Sequence, residues 1–352
     1  MFLSHSSWSE PFEVANPAQS LVFPRDHGEH RSFKTEWWYY TGHLLTEDGR
    51  RFGYQLTFFR NALGNKVHVS DRKSKWATNQ LYFTHFAISD SQEKKHHFAE
   101  RFSRGMKPLA FIQTQPFQLV LEDWLVSGST PGTANLSAKA PKFEINLQLQ
   151  PKKDLMLQGS NGFSQKGFNR KNSSHYYSYS RLYTTGQIKI GDQKFNVTGQ
   201  SWMDHEYSTS LLEKSQRGWD WFAIQLNNQS ELMLFQLRDQ RGSYYYYRVG
   251  KLNDKGGNSK TLDMSGAEFV PISYFKSEKS GGQYPIKWKV TIPKENIDLT
   301  VTAIFENQEM MTSVVYWEGA TDISGQINKG QVKGMGYLEM TGYAENISKR
   351  FE

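Results

Sequence analysis

Segments rich in bulky aromatic residues and bounded by polar turns recur through this sequence, and they limit the folds open to it more than any other feature. Residues 36–44 form the first such segment, which contains four consecutive aromatic residues, and residues 52–60 form the second. The Asp48-Gly49 pair between them favours a tight hairpin turn, so the two segments are predicted to pair as antiparallel strands. Aromatic side chains on both faces of the first strand indicate burial on both sides, or a ligand on one side.

Further segments have the length and composition of strands. Apolar and polar residues alternate strictly in residues 143–150, which is typical of a strand with one wet face and one buried face. Residues 127–141 and 159–173 are rich in Gly, Ser, Asn, Pro and Lys and are predicted to be loops, and residues 1–30 are predicted to be an irregular N-terminal lead-in. The remaining predicted strands are 80–89, 117–124, 176–182, 218–226, 231–238, 244–249, 286–292, 299–305 and 313–317.

The second half of the chain repeats the plan of the first half. Residues 218–226 and 231–238 form a second Trp-rich hairpin that resembles the first one. When the two Gly-rich closing strands are aligned, Glu339 falls on Asp204. These short matches indicate an internal duplication.

Length and composition also favour an all-β chain of two domains. The chain has 352 residues, which is more than one hydrophobic core normally serves. We therefore predict an N-terminal domain at 31–207 and a C-terminal domain at 208–352. Aromatic residues make up 14% of the chain while hydrophobic residues reach only 37%, a mixture that suits strands better than helical bundles.

Charge and cysteine content argue against two classes of function. The net charge is +7, but the basic residues are scattered, whereas nucleic-acid binding requires a basic stripe or patch. The absence of cysteine excludes disulfides and thiolate metal sites. No apolar run approaches the roughly 18 residues that a membrane-spanning helix needs, so no transmembrane segment is predicted.

The best candidate for chemistry is a cluster of three titratable residues in the last predicted strand of the first domain. Asp204, His205 and Glu206 are consecutive and lie between Trp202 and Tyr207. In an extended strand the two carboxylates and Trp202 share one face, while His205 and Tyr207 lie on the other. Such residues are costly to bury unless they are paired or unusually protonated, which points to a site. The alternative is a strand end with a solvated acidic pair, because structural ion pairs also collect these residues.

Other catalytic constellations are not supported. The sequence has no Gly-x-Ser-x-Gly elbow for a serine hydrolase, and Ser201 lies too close in sequence to Asp204 and His205 to form a triad with them. It also has no His-x-His and no His-Glu-x-x-His, so no metal site is predicted. A metal would have to be bound across strands by histidines drawn from His27, His30, His43, His85 and His205.

Five short motifs follow one another in a fixed order, at residues 36–42, 176–182, 202–206, 218–221 and 336–343. Together they resemble the AttH and carotenoid 1,2-hydratase (CrtC, hydroxyneurosporene synthase) family over about residues 22–345. The resemblance implies an all-β fold of two tandem lipocalin-like antiparallel β-barrels. The family includes hydratases that add water to the terminal double bond of acyclic carotenoids, fungal pericyclases, and many exported bacterial proteins of a secreted hydrolase group. Tyr207 stands where many members have Trp.

Hydration of an isolated alkene needs an acid that protonates carbon, a surface that tolerates a cation, and a positioned water. Asp204 in an aromatic, desolvated setting would have a raised pKa and could be that acid, and His205 or Glu206 could take the proton from the water. Aromatic faces could stabilise the cation and line a pocket for an elongated apolar ligand, although packing is their ordinary role. The predicted ligand-binding residues are Glu36, Trp37, Trp38, Tyr177, Trp202, Trp219 and Trp221.

Two classes of function therefore stay open. The first is an enzyme that binds an isoprenoid, carotenoid or lipid-like molecule and adds water to its C=C bond, with no cofactor predicted. The second is a non-enzymatic ligand-binding protein that works with an ABC transport system, as the resemblance implies. In the second case Asp204 would be structural, bound to the backbone or to an arginine such as Arg181. The resemblance implies an exported protein whose leader is absent from this sequence, and a cytoplasmic location is the alternative.

Overall fold

The computed structural model describes residues 12–64, 78–210, 212–241 and 247–347. Across these residues the only helical elements are two short 3-10 turns, Arg25–His27 and Pro293–Glu295. All strands belong to two antiparallel sheets, one a nearly closed barrel and the other a half-barrel. The predicted all-β fold class is thus confirmed. In the described part of the chain, no helix has the length and apolar character needed to cross a membrane.

The first sheet contains thirteen strands in the described residues. They are β1 Thr35–Leu45, β2 Arg51–Ala62, β3 Gln80–Asp90, β4 Lys95–Arg104, β5 Ala110–Gln113, β6 Phe117–Leu121, β7 Trp124–Gly128, β8 Ala134–Ala140, β9 Phe143–Pro151, β10 Met156–Leu157, β11 Phe163–Gln165, β12 Ser173–Ile190 and β13 Gln193–Ser210. Their order is β4-β3-β2-β1-β13-β12-β9-β8-β7-β6-β5, and β10 and β11 pair with β12 beside this path.

The second sheet contains ten strands within the described ranges. They are β14 Gln216–Leu226, β15 Glu231–Asp239, β16 Tyr247–Asn253, β17 Ser259–Thr261, β18 Glu268–Lys276, β19 Gln283–Ile292, β20 Ile297–Ala303, β21 Glu309–Met311, β22 Val315–Ile327 and β23 Gly330–Met340. Their order is β17-β16-β15-β14-β23-β22-β20-β19-β18, with β21 paired to β22.

The two sheets share one plan. In both, the first hairpin of the sheet lies beside the last strand of the sheet: β1 pairs with β13, and β14 pairs with β23. Tyr39 on β1 lies opposite Asp204 on β13, and Trp221 on β14 lies opposite Glu339 on β23. The strand ladders thus give the same correspondence of Asp204 with Glu339 that the sequence repeat predicts.

The predicted hairpin at 36–60 is present as β1 and β2, but the loop predicted at 127–141 is wrong. This range contains β8, which pairs with both β7 and β9. Its inward-facing residues are mostly alanines, which have weak strand propensity, so the pattern resembled a small-residue loop. The strand predicted at 244–249 lies partly outside the described residues, and its described part belongs to β16.

The interior of the first barrel is filled by its own side chains. Trp38, Tyr177 and Met203 belong to its buried core. The segment before β1 packs against this core, because Nδ1 of His27 lies 2.7 Å from the hydroxyl of Tyr177. The indole of Trp38 also donates a hydrogen bond to the His27 carbonyl. The described part of the N-terminal lead-in therefore lies against one side of β1, β12 and β13, and the other side faces the second sheet.

Candidate active site between the two sheets

One row of side chains crosses the first sheet on the face that meets the second sheet. Residues directly opposite one another in neighbouring antiparallel strands point to the same face. The register therefore aligns Ser178, Asp204, Tyr39, Thr57, His85 and Glu100 in one row. Three inter-strand spacings of about 4.8 Å separate Asp204 from His85, which corresponds to roughly 14 Å.

The neighbouring row on the same face is mostly aromatic. It consists of Tyr176, Glu206, Trp37, Phe59, Phe83 and Phe102. The rings of Phe59 and Phe83 stack with centroids 4.5 Å apart, and those of Phe83 and Phe102 stack at 5.5 Å. An apolar floor thus runs from the acidic residues of β13 towards the edge of the sheet, where Phe102 is about half exposed.

A cavity of about 490 Å³ lies between these two rows and the second sheet. This volume is in the range of sites that bind small organic molecules. The second sheet contributes aromatic and acidic side chains to its wall, including Trp219, Trp221, Phe235, Tyr316 and Glu339. The cavity is thus an aromatic chamber with carboxyl groups on both sides.

Asp204 is buried in the wall of this cavity. Three groups donate hydrogen bonds to it: the Ser178 hydroxyl (2.5 Å) and the Trp202 indole (2.7 Å) to Oδ1, and the Tyr176 hydroxyl (2.8 Å) to Oδ2. Burial nevertheless raises the pKa of Asp204 to about 7, because desolvation of the charged form outweighs these donors. Arg181, a possible partner in a structural role, instead pairs with Glu231 at 2.5 Å.

The position of the Asp204 proton follows from its neighbours. The Trp202 N–H can only donate, so Oδ1 must accept, and the proton of the neutral acid belongs on Oδ2 facing Tyr176. The Tyr176 hydroxyl also receives the indole N–H of Trp221 at 3.2 Å. When Asp204 is protonated, the Tyr176 oxygen can therefore accept from both sides and turn its own proton towards the cavity.

The second sheet contributes a matching carboxyl pair, of which Glu339 lines the cavity and Glu318 is its buried neighbour. Burial raises the pKa of Glu339 to about 7, and its Oε1 accepts the indole N–H of Trp219 at 2.5 Å. Burial and the neighbouring Glu339 raise the pKa of Glu318 well above its usual value. Glu318 is therefore neutral and can donate its proton to Glu339.

Glu206 differs from the other cavity carboxyls because it has a cationic partner. Nζ of Lys166 lies 2.7 Å from Oε1 of Glu206, and the Ser174 hydroxyl donates to the same oxygen at 2.5 Å. The Lys166 ammonium also lies over the rings of Tyr176 and Phe235, at 5.0 and 4.8 Å from their centroids. This buried ion pair places one positive and one negative charge beside the neutral acid Asp204.

The structure brings together only some of the catalytic and ligand-binding residues that the sequence predicts. Asp204, Glu206, Trp37, Trp219 and Trp221 all line the cavity. Trp202 lies behind them, edge-on to Trp221 with ring centroids 6.2 Å apart.

The other predicted residues lie on the opposite face of the first sheet. His205 stacks on Trp38 with ring centroids 4.5 Å apart, and its Nε2 lies 2.9 Å from Oε1 of Glu36. The hydroxyl of Tyr177 lies 3.3 Å from Nδ1 of His205. All four residues are fully buried and do not line the cavity.

Glu36 lies at the centre of an ion-pair network on that face. Arg60 and His30 contact it at 2.8 and 2.7 Å. Burial disfavours its charge, but His30 and Arg60 hold the pKa of Glu36 well below its usual range. Burial lowers the pKa of His30, but the neighbouring Glu36 and Asp26 more than offset this and raise it to about 9.

Within the described ranges, the same network contains a group of three residues whose side chains are of the kind that bind metal ions. His30, Glu36 and His205 offer ligand atoms within 4.8 Å of one another. The Arg60 guanidinium already supplies a positive charge to Glu36, and the ring nitrogens of both histidines contact carboxylate or carbonyl oxygens. The contacts are therefore those of an ion-pair network.

Several residues that line the cavity or lie beside it were missed by sequence reasoning. Tyr176 follows the same alternation that separates Asp204 from His205, so the strand pattern could have placed it on the cavity face. The sequence repeat aligned Glu339 with Asp204 but did not mark it as a site residue. Lys166 lies in a predicted loop and Glu318 in a strand far along the chain, and no local pattern marks either of them.

Comparisons with known proteins agree with this fold. The AttH-like family model matches residues 14–343. The crystal structure of an AttH protein from Nitrosomonas europaea is 33% identical and superposes with a TM-score of 0.84, covering 94% of this chain and 99% of that one. No curated protein sequence matches the chain.

Two more distant structures share the fold alone. Kievitone hydratase from Nectria haematococca is 13% identical with a TM-score of 0.72, and the match covers 95% of this chain and 98% of that one. CghA, solved with Sch210972, is 10% identical with a TM-score of 0.54, covering 94% and 96%. On the family match and the 33% identity, this chain belongs to the AttH-like family.

Proposed function

We propose that the cavity between the sheets binds an elongated apolar molecule of isoprenoid, carotenoid or lipid-like kind, and that Asp204 protonates a C=C bond of this molecule so that water adds to it. The observation that supports this most strongly is Asp204 itself, a carboxyl group with a pKa of about 7 in an aromatic cavity wall. At neutral pH a substantial fraction of such a group is protonated and can act as a general acid.

The proton reaches the substrate from the Asp204–Tyr176 pair. The neutral acid carries its proton on Oδ2, next to the Tyr176 hydroxyl, and either group can donate into the cavity that both line. The proton bonds to one alkene carbon and leaves positive charge on the other. Water oxygen then bonds to the second carbon and releases a proton, so that no oxidant or reductant is consumed.

Aromatic faces suit the intermediate charge. Trp37, Trp219 and Trp221 line the cavity, and an indole face stabilises a desolvated cation by up to about 2 kcal/mol. Glu206 adds a negative charge to the same wall, which the Lys166 ammonium paired with it partly offsets. A tertiary cation in this chamber is therefore less costly than one in an aliphatic pocket.

Glu206 is the residue we assign to accept the proton from water. Its contacts with Lys166 and Ser174 both use Oε1, so Oε2 is the oxygen that takes the proton in this proposal. We assign no such role to His205, because it lies on the other face beside Trp38 and Glu36. It supports the site indirectly, as a buried packing partner in the strand that carries Asp204.

The three hydrogen-bond donors on Asp204 favour a second candidate function. Ser178, Trp202 and Tyr176 surround the carboxyl group, as they would in a purely structural role. In that case the protein would be an exported carrier of the same class of ligand, associated with an ABC transport system. The cavity would then bind the ligand without changing any of its covalent bonds.

Isotope labelling separates the two functions. Wild type is incubated with a panel of acyclic isoprenoids and carotenoids in heavy-oxygen water, and products are analysed by mass spectrometry. We expect a labelled alcohol, turnover that falls as pH rises above about 7 because the acid form is lost, and no product from Asp204→Asn. Ligand affinity of the variant should stay within a few-fold, because the proton is used only in the transition state.

A matched variant controls for burial of the carboxyl group. Asp220 is also buried and has a raised pKa, but it contacts Gln236, Tyr343 and Arg238 and does not line the cavity. Asp220→Asn should keep turnover per folded molecule. Absence of label across the panel, together with saturable ligand binding, would favour the carrier, and equal label from Asp204→Asn would refute the role of Asp204.

A further inference from the structure

A second polar group lies in the same row as Asp204, at the other end of the cavity. Nδ1 of His85 lies 2.8 Å from the hydroxyl of Tyr316, and Nε2 of His85 lies 2.8 Å from Oε1 of Glu100. Ser313 donates to Glu100 through both its backbone N–H (3.0 Å) and its hydroxyl (2.5 Å). His85 and Glu100 come from the first sheet, while Ser313 and Tyr316 come from the second half of the chain.

The protonation states fix the direction of each hydrogen bond. Burial disfavours the charge on Glu100, but His85 and Ser313 hold its pKa below the usual value, so it is an acceptor. Burial also lowers the pKa of His85, which is therefore neutral. Its single N–H must then lie on Nε2 and donate to Glu100, which leaves Nδ1 to accept from the Tyr316 hydroxyl.

This direction leaves the Tyr316 oxygen as an acceptor at the cavity. Burial raises the pKa of Tyr316 well above its ordinary value, so the phenol keeps its proton and gives it to His85. Tyr316 and His85 both line the cavity. A ligand that fills this end lies beside Tyr316, whose oxygen can take a hydrogen bond but has no proton left to give.

Aromatic rings line much of the space between the two polar ends. Phe59 and Phe83 stack beside the row that connects Asp204 with His85, and those two residues are roughly 14 Å apart by strand spacing. A pure hydrocarbon would leave the Tyr316 oxygen without a donor. A molecule with a hydroxyl group at one end and an alkene at the other would satisfy both ends.

We propose that Tyr316, held by His85 and Glu100, binds a hydroxyl group of the ligand, so that this protein takes an isoprenoid-like alcohol rather than a hydrocarbon. The alkene end of this assignment rests on the proposed function, whereas the hydroxyl site does not. Tyr316 contacts the ligand directly. His85 and Glu100 are positioning residues that keep its hydroxyl turned away from the cavity.

The test compares three compounds with one carbon skeleton: farnesol, farnesyl methyl ether and farnesene. Binding is measured by quenching of Trp fluorescence. For wild type we expect farnesol to bind roughly three- to tenfold more tightly than the other two, as one net hydrogen bond predicts. The ether is the key comparison, because it can accept a hydrogen bond but cannot donate one. Equal binding of alcohol and ether would overturn the proposal.

Two variants show whether the preference comes from this hydroxyl. Tyr316→Phe should bind all three compounds equally, while Tyr54→Phe, which removes a buried hydroxyl bonded to Ser201 in the first barrel, should keep the preference. Thermal melts establish that both variants are folded. If Tyr316→Phe is folded and still prefers farnesol, the assignment is overturned.

The result of this binding test does not depend on whether the protein catalyses hydration. A wild-type preference for farnesol that disappears in Tyr316→Phe supports the hydroxyl site even if heavy-oxygen water leaves no label in any product. Label in the product without any preference among the three ligands supports the hydratase and refutes the hydroxyl site. Failure of all three compounds to bind refutes the site as assigned here.

Discussion

The hydroxyl of Tyr39 lies 2.6 Å from Oε1 of Glu318, so a side chain of the first sheet bonds to a carboxyl group of the second sheet beside the cavity. The two residues are 279 positions apart in the sequence. Since burial keeps Glu318 neutral, its Oε1 is the carbonyl oxygen that accepts this hydrogen bond, and its proton lies on the side of Glu339. The bond therefore joins the two sheets and orients the carboxyl pair.

Removal of this hydroxyl should destabilise the protein. Tyr39→Phe leaves a buried carboxyl oxygen without its donor, which costs roughly 1–3 kcal/mol. Urea denaturation measures the change in the free energy of unfolding. Tyr183→Phe, at a residue that is about 40% exposed, is the control and should change stability by less than about 0.5 kcal/mol. Equal effects of the two substitutions would contradict the orienting role of Tyr39.

The raised pKa of Asp204 predicts a pH dependence of stability. In the unfolded chain this carboxyl group titrates near pH 4, whereas in the folded protein its pKa is about 7. Between these values the folded state holds more protons than the unfolded state, so this group makes the free energy of unfolding fall as pH rises from about 4 to about 7. Above that window its contribution is constant.

Urea titrations between pH 4.5 and 8 should show this effect as a difference between variants. Asp204→Asn removes the group, so the stability of wild type relative to the variant should decline across the window and then level off. Asp322→Asn removes an exposed carboxylate paired with Arg51 and keeps Asp204, so its curve should run parallel to that of wild type. Parallel curves for wild type and Asp204→Asn would show that Asp204 titrates normally in the fold.

The buried ion pair of Lys166 and Glu206 should be costly to break on one side. Lys166→Met leaves Glu206 buried without its cation, and loss of one partner of such a pair costs roughly 3–5 kcal/mol. Adding Glu206→Gln to Lys166→Met should recover much of this loss, because the uncompensated charge is gone. Lys289→Met breaks the exposed pair with Asp298 and should cost less than about 1 kcal/mol.

Ligand binding should depend on Trp221 and not on Trp38. Trp221→Ala removes a cavity wall and should weaken binding of a polyene such as retinol by at least about tenfold, because the bound polyene then buries less apolar surface against the protein. Trp38→Phe changes the filled interior of the first barrel, so it should lower stability and leave affinity within about twofold. Retinol fluorescence measures the affinity of both variants for the polyene. The reverse order of effects would place the ligand inside the barrel.

Strand periodicity predicts which residues share a face, but it does not predict which face becomes a cavity. The alternation correctly separates Asp204 and Glu206 from His205. Residues 37 and 38 are both tryptophan and point to opposite faces of β1, so the sequence makes the two faces equally apolar at this point. The distinction arises only when the N-terminal lead-in packs against the Trp38 face and the second sheet packs against the Trp37 face.

The residues contributed by distant strands could not be predicted for a related reason. Glu318 and Tyr316 have no local motif, and they reach Tyr39 and His85 only because the two sheets pack face to face. Distant contacts also explain β8. Its alanines have weak strand propensity, and they form a strand because β8 pairs with a neighbour on both sides.

The walls of the cavity lie outside the cores that hold each sheet together. Alternate residues of β14 and β15 point to opposite sides, so that Phe222 and Leu234 fill the core of the half-barrel while Trp221 and Phe235 face the first sheet. A substitution at a wall position therefore reshapes the chamber and leaves the packing of either core in place. Chains with this architecture can diverge in ligand choice while both cores are kept, since the aromatic residues that line the cavity and those that fill each core occupy separate positions.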